Sequence, residues 1–275
     1  MNLRFYKPHP ELQHFVSRIM LSSFQLDRSY PRLTSPFPPQ PEHSLYFYPY
    51  DKVISRNYAN GCTSETPQSI LVGPQLSRVD VTLGYNMLVI LVGFQPGGLH
   101  RLLRIPMNEI LNIPLDARLI LGSEIETITA QLAEAPSFDK MVDIIQLYLL
   151  KKVGKLKRTL PVEYVLMQML QQNNMVTVDQ LAKEACVSTR QLERQFAERT
   201  GMPPKMFARL VRFSKAWIMR EKNPAISWTK IAYACRYADQ THMIRDFKEF
   251  AGVTPNVLQS DLERSTLRLQ ALTFH

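Results

Sequence analysis

One pattern near the C-terminus repeats at almost constant spacing and constrains the fold more than any other feature. Ser188, Leu192, Arg194, Phe196, Gly201 and Pro204 recur 51 positions later as Asp239, Met243, Arg245, Phe247, Gly252 and Pro255. Upstream, Thr177, Leu181 and Ala182 recur 50 positions later as Ser227, Ile231 and Ala232. A period of this length means one supersecondary unit used twice. The step from 50 to 51 means one extra residue in the second copy's turn.

Each copy reads as two short helices joined by a tight turn. In the first, Thr177 and Gln180 have the spacing of a capping box, which opens a helix through Leu181, Ala182 and Ala185. The turn falls at Cys186-Val187. Ser188 and Gln191 repeat the capping spacing and open a second helix. Leu192 and Phe196, four apart, bury together. That leaves Arg190, Gln191, Glu193 and Arg194 outward, and Gly201 ends the helix with a left-handed cap. In the second copy Ser227 caps a helix through Trp228, Ile231 and Ala232. The turn spans Arg236–Ala238, and Asp239 caps the next helix. Met243 and Phe247 face inward there; Gln240, Thr241, His242 and Arg245 face out. Between the copies, Pro203 and Pro204 open one connecting helix through Phe207, Leu210, Val211, Ala216, Trp217 and Ile218. Its other side carries Lys205, Arg209, Arg212, Lys215 and Arg220. Apolar anchors behind polar and basic side chains are what a DNA recognition helix requires.

Charge follows the same division. The chain has a net charge of +9 and a pI near 9.5. Residues 1–150 hold 12 basic and 13 acidic side chains, whereas residues 151–275 hold 21 and 11. The whole excess therefore sits with the repeat, as expected of a domain that binds a polyanion.

The stretches LAKEACVSTRQLERQFAERTGMPP, RLVRFSKAWIM and ISWTKIAYACRYADQTHMIRDFKEFAGVTP resemble the AraC/XylS family of bacterial transcription regulators. The family pattern is two helix-turn-helix units bridged by one helix, covering about residues 160–260 here. The resemblance implies that the two recognition helices enter successive major-groove segments on one DNA face. It gives base-reading roles to Arg190, Glu193 and Arg194 in the first helix, and to Gln240, Thr241 and Arg245 in the second. The chemistry agrees: Arg takes guanine bidentately, Gln pairs with adenine and Glu accepts from cytosine. His242 stands beside them. Phosphate contacts are assigned to Gln191, Lys205, Arg209 and the helix N-termini. The sequence departs from the family in having Cys186 and Arg236 where glycine is usual. A left-handed Arg236 costs about 1 kcal/mol over glycine. Met243 replaces a common aromatic, and Leu258-Gln259 replaces the usual aromatic-Arg pair.

The first half is of another kind. Eight of the 19 prolines lie between Pro8 and Pro49. Ser44–Tyr48, Ser69–Val72, Val79–Leu83 and Met87–Phe94 have strand-like length and composition. Residues 35–42 (SPFPPQPE) exclude a helix or a central strand. Asn60-Gly61 and Pro96-Gly97-Gly98 are turns. Ser123 and Glu126 form a further capping box, opening a helix with Ile125, Ile128 and Leu132 on one face. After Ala135-Pro136-Ser137 a second helix carries Met141, Ile144, Ile145, Tyr148 and Leu149. This hairpin either packs on its own β-domain or forms a dimer surface. Residues 92–112 (VGFQPGGLHRLLRIPMNEILN) resemble a motif in the N-terminal domains of some AraC-type regulators. There Leu99, Leu102 and Leu103 open a short helix that packs back.

The expected fold is therefore α+β in two domains. Residues 1–150 form a β-barrel or sandwich (cupin-like) with a helical hairpin, a domain for ligand sensing or dimerisation. Residues 151–160 form a linker, and 161–262 an all-α double helix-turn-helix domain. A pocket in a barrel mouth has Tyr46, Phe47, Tyr48, Tyr50 and Tyr58 as candidate lining. Strand alternation sends Tyr46 and Tyr48 to one face and Phe47 to the other. The expected partners are double-stranded DNA, a small-molecule effector, a second copy of the chain through 123–150, and RNA polymerase.

Catalytic, cofactor and metal sites are not expected. His9, His14, His43 and His100 lack metal-ligand spacing, and Cys62, Cys186 and Cys235 contain no CxxC. Neither a phosphate-binding glycine loop nor a nucleophile elbow occurs. An odd number of cysteines suits a reducing compartment. The N-terminal residues lack a signal peptide's apolar run, and the longest apolar run, about 87–92, is too short for a bilayer. The reading is a cytoplasmic regulator. The alternatives are an enzyme delivered to DNA by a basic domain, for which only Cys62 is available as a nucleophile, and an architectural DNA-binding protein without a ligand.

Overall fold

The computed structural model describes residues 2–171 and 177–265. Its N-terminal half contains two antiparallel sheets. The larger runs β1 (Asn2–Tyr6), β2 (Val16–Gln25), β9 (Asn86–Phe94), β4 (Ser44–Phe47), β7 (Ser69–Val72) and β10 (Pro114–Asp116) in spatial order. The smaller runs β3 (Thr34–Phe37), β8 (Val79–Thr82), β5 (Ile54–Asn57) and β6 (Thr63–Glu65). The sheets stay separate, so the barrel-or-sandwich alternative resolves to a sandwich. The four predicted strands are present to within a residue at each end. The proline-rich stretch supplies β3, which has the edge position that Pro36 permits.

The period of two along β2, β4 and β9 sends alternate residues to different cores. Ile19, Leu21, Leu45, Phe47, Leu88, Ile90 and Val92 face the helices of the domain. Met20, Ser22, Phe24, Tyr46, Tyr48 and Val89 face the second sheet. The helical layer consists of α1 (Gly98–Leu103), α2 (Ala117–Leu121), α3 (Glu124–Glu134) and α4 (Phe138–Val153). Ile125, Ile128, Leu132, Met141, Ile145, Tyr148 and Leu149 join the strand residues in one core. Each large apolar side chain buried there contributes about 1.5–3 kcal/mol. The hairpin thus packs on its own domain. Its predicted capping box is absent: Ser123 makes no side-chain cap bond, and Glu126 instead pairs with Arg118 at 3.1 Å. The preceding α2 explains this. It ends at Ser123's neighbour Gly122, leaving Ser123 in a helical conformation that does not aim its hydroxyl at the next turn.

The predicted linker is partly helix, because α4 runs through Val153. The rest is held: Arg101 Nε donates to the Lys157 carbonyl at 2.8 Å, and the Lys157 N–H donates to the Arg101 carbonyl at 3.2 Å. Beyond it lie α5 (Pro161–Gln171), α6 (Val178–Glu184), α7 (Thr189–Thr200), α8 (Pro204–Lys222), α9 (Trp228–Ala234), α10 (Gln240–Ala251) and α11 (Pro255–Arg264). Leu192, Phe196, Phe207, Trp217, Ile231, Met243 and Phe247 share a single core. The 19-residue α8 connects the two helix pairs.

Candidate nucleic-acid interface

The two copies use the same backbone devices at equivalent positions. Thr177 and Ser227 cap the first helices, and Ser188 and Asp239 cap the second. The reciprocal glutamine bond forms at Gln180, completing that box. Cys186 and Arg236 adopt φ of 54° and 57°, the left-handed conformation for which the family's usual glycine is suited. Each turn is a Schellman motif. The Val187 N–H reaches the Ala182 carbonyl at 3.0 Å, and the Tyr237 N–H reaches the Ala232 carbonyl at 2.9 Å. Gly201 and Gly252 end the second helices at φ of 78° and 73°.

A side-chain bond joins the two helices of each copy, with its chemistry exchanged. In the first copy the Thr189 hydroxyl donates to Asp179 at 3.0 Å. In the second the Thr229 hydroxyl donates to Gln240 Oε1 at 3.2 Å. Threonine starts the recognition helix in one copy and lies on the supporting helix in the other.

The outward residues stand as expected. Arg190, Gln191, Glu193, Arg194, Lys205, Gln240, Thr241 and Arg245 are exposed. Arg194, 70% exposed, makes a long 3.8 Å contact with Glu198 one turn later. His242 is half-buried, edge-on to Tyr237 with ring centroids 5.4 Å apart. Arg209 differs. Its guanidinium is held by Asp246 at 2.7 Å and by Glu249, and it lies over the Phe250 ring at 5.5 Å. The hydrogen bonds it donates to Glu249 and Asp246 stabilise its charged form and push its pKa well above the usual range. This clasp ties α8 to α10 and leaves Arg209 a strut rather than a solvent-facing cation.

The β-domain contacts both copies at their equivalent C-terminal ends. A Cβ at Gly201 would strike Pro74, and one at Gly252 would strike Tyr58. Both contacts belong to one region, the segment Gly73–Arg78 and its neighbour Tyr58. Within it Leu76 packs against the helical core. The Arg78 N–H donates to the Phe250 carbonyl at 3.0 Å. The Arg78 side chain, 5% exposed, bonds Asp80 at 2.6 Å and Asp261 at 2.7 Å. Gln40 accepts from Ser214 of α8 at 2.7 Å. The N-terminal halves of α7 and α10 remain exposed. This strap was not foreseen from the sequence. Gly73-Pro74 signals a turn, but nothing local shows what its ends touch.

The strap also walls a cavity of about 280 Å³ between the sheets. Gln75 and Ser77 line it, as does Asn112, whose side chain accepts from the Leu76 N–H at 2.6 Å. Tyr46 and Tyr48 line the cavity, whereas Phe47 faces the helices, Tyr50 bonds the Ala133 carbonyl and Tyr58 lies under Arg78. Ser22, also unforeseen, is in the wall; its signal was a hydroxyl directly after the apolar run Ile19–Leu21. His43 and His100 are buried elsewhere. Burial pushes the His43 imidazole down to about 4, aided by His100.

A helix-turn-helix domain family matches residues 181–261. A family described as a domain of unknown function (DUF6597) matches residues 4–116. Among solved structures, ToxT from Vibrio cholerae is 11% identical over 97% of this chain and 100% of its own, with a TM-score of 0.49. A second ToxT structure, bound to (E)-4-(8-methylnaphthalen-1-yl)but-3-enoic acid, is 11% identical over 95% and 100%, with a TM-score of 0.47. The DNA-binding domain of the global transcriptional factor AdpA, in complex with a target DNA, is 21% identical over 41% of this chain and 99% of its own, with a TM-score of 0.35. A comparison with curated proteins found no match.

Two helix-turn-helix units bridged by one helix, joined to a β-sandwich, define a DNA-binding transcription regulator. This architecture is the one that the sequence resemblance to AraC/XylS regulators implies, and the helix-turn-helix family match over residues 181–261 spans both recognition helices.

Proposed function

We propose that this regulator reads two successive major-groove segments, using Arg190, Glu193 and Arg194 of α7 and Gln240, Thr241 and Arg245 of α10 on base edges. Gln191, Lys205 and the helix N-termini contact phosphates. His242 is kept at the edge of the interface. The observation that carries the reading is the equivalence of Arg194 and Arg245. Both are exposed, two residues after a buried anchor (Leu192 and Met243), on helices capped alike. Arg209, assigned to phosphate by the resemblance, acts here as the strut that orients α10.

The β-domain governs this interface through a small molecule in its cavity. What supports this is the strap, which walls the cavity and touches both recognition helices at their C-terminal ends. A bound molecule that moves residues 73–78 changes the setting of the two helices. RNA polymerase and a second copy of the chain, proposed as further partners, rest on the resemblance alone. A cytoplasmic location accords with a DNA-binding regulator whose described residues include no helix long and apolar enough to cross a membrane.

The test is genomic DNA capture by the purified full-length protein, followed by footprinting of the recovered fragments across a salt series. A defined footprint is expected, with affinity falling steeply as salt rises. Capture without sequence preference, or a flat salt response, overturns the reading.

A further inference from the structure

We propose that the cavity between the sheets is a binding site for an uncharged, mainly apolar small molecule with a flat ring. The proposal rests on the sensing role stated above and names the class of its ligand. Side chains such as Met20, Phe24, Phe37, Val81 and Val89 make most of the wall. The polar groups there are hydroxyls, a thiol and amides; among the described residues no Asp, Glu, Lys, Arg or His lines it. A carboxylate or ammonium seated in this space would lose its water and meet no counter-charge, a penalty that neutral hydrogen bonds do not offset. The charged pair that acts on Tyr46, Arg18–Glu42, is also bonded by Ser17 and lines a smaller adjoining space rather than this wall.

Two features describe the ligand further. Tyr46 and Tyr48 stack with ring centroids 6.0 Å apart and planes 12° from parallel, giving the wall a flat aromatic side. Ser22 Oγ is buried and has no hydrogen-bond partner among the described residues, on the β2 face that also sends Met20 and Phe24 into the cavity. A buried hydroxyl in this condition calls for a partner, and a carbonyl, ether or hydroxyl on the ligand supplies it. The volume is near the lower end of ligand pockets, roughly 300–1,000 Å³. This favours a compact molecule over a long chain.

The experiment titrates the full-length protein with two fluorescent probes that share one ring system. N-phenyl-1-naphthylamine is uncharged, and 1-anilinonaphthalene-8-sulfonate carries a sulfonate. The expected result is saturable one-to-one binding of the neutral probe, at least tenfold tighter than the sulfonate. Val81→Trp, which fills the cavity from β8, should abolish that binding while keeping a cooperative melt. Ser22→Leu fills it from the opposite sheet and serves where Val81→Trp does not fold. Sulfonate binding as tight as the neutral probe, and lost in the same variants, overturns the ligand class but leaves the site. Binding that persists in both filled variants, or no binding of either probe, overturns the site. Neutral-probe binding that leaves DNA affinity unchanged keeps the site and overturns the sensing role.

Discussion

The two helix-turn-helix units have the same backbone and different reinforcement. Caps, left-handed turn residues and terminal glycines recur position for position. The groups behind them do not. Where the first copy has Arg199, the second has Phe250. Arg199 is buried against Glu163 of α5, with N–O at 2.7 Å and both side chains 6% exposed. Phe250 packs on Phe213, with centroids 5.2 Å apart, and lies under the Arg209 guanidinium. The ionic solution stands where α5 and the Gly97 turn of the β-domain close over α7. The aromatic one stands where α8 is the neighbour. Position in the repeat dictates the backbone; the neighbouring element dictates the chemistry.

This contrast breaks most visibly at the buried ion pair. Glu163→Ala removes the buried counter-charge of Arg199 and leaves it the longer 3.5 Å contact with Glu198; it should cost about 3 kcal/mol, read as a lower urea midpoint. Pairing Arg199→Met with Glu163→Leu should recover most of the loss, because the second copy already manages with an apolar residue. A single variant as stable as wild type would remove the distinction between the copies. Next in size, Arg194→Ala and Arg245→Ala should each weaken specific DNA binding by about 1–3 kcal/mol, measured by titration on a footprinted site. Cys186→Gly and Arg236→Gly relieve the left-handed turns and should each stabilise by about 1 kcal/mol, seen as a higher melting temperature. A rise in only one copy would mean the turns are not equivalent. The smallest effect belongs to the exchanged side-chain bonds: Asp179→Ala and Thr229→Ala should each cost about 0.5–1 kcal/mol, and matched losses on melting would support their equivalence.

The helical half was legible because its signals are local. Capping residues, i and i+4 anchors and terminal glycines lie within a turn or two of what they control, and the repeat doubles them. The ion pairs of Arg209 were not legible because its acidic partners lie 37 and 40 positions away, on α10 of the second copy. In the β-domain, the strands of Ser44–Phe47 and Asn86–Phe94 were legible by composition, whereas β5 (ISRN) and β6 (TSE) are short and polar. The long β2 escaped because both its faces are covered, so polarity does not alternate along most of it. The clasp of Arg78 on Asp261 joins residues 183 positions apart, beyond any local pattern. The cavity was half legible: alternation placed Tyr46 and Tyr48 on one face, but only the second sheet reveals what they face.

The central claim is that the two copies read two separate segments of one site. It is tested most directly by selecting binding sites from random DNA with the full-length protein, Arg194→Ala and Arg245→Ala in parallel. The account predicts two conserved segments about 10 base pairs apart, roughly one turn of the duplex, with each variant losing sequence preference in a different segment. A single segment, or the same loss in both variants, would contradict it.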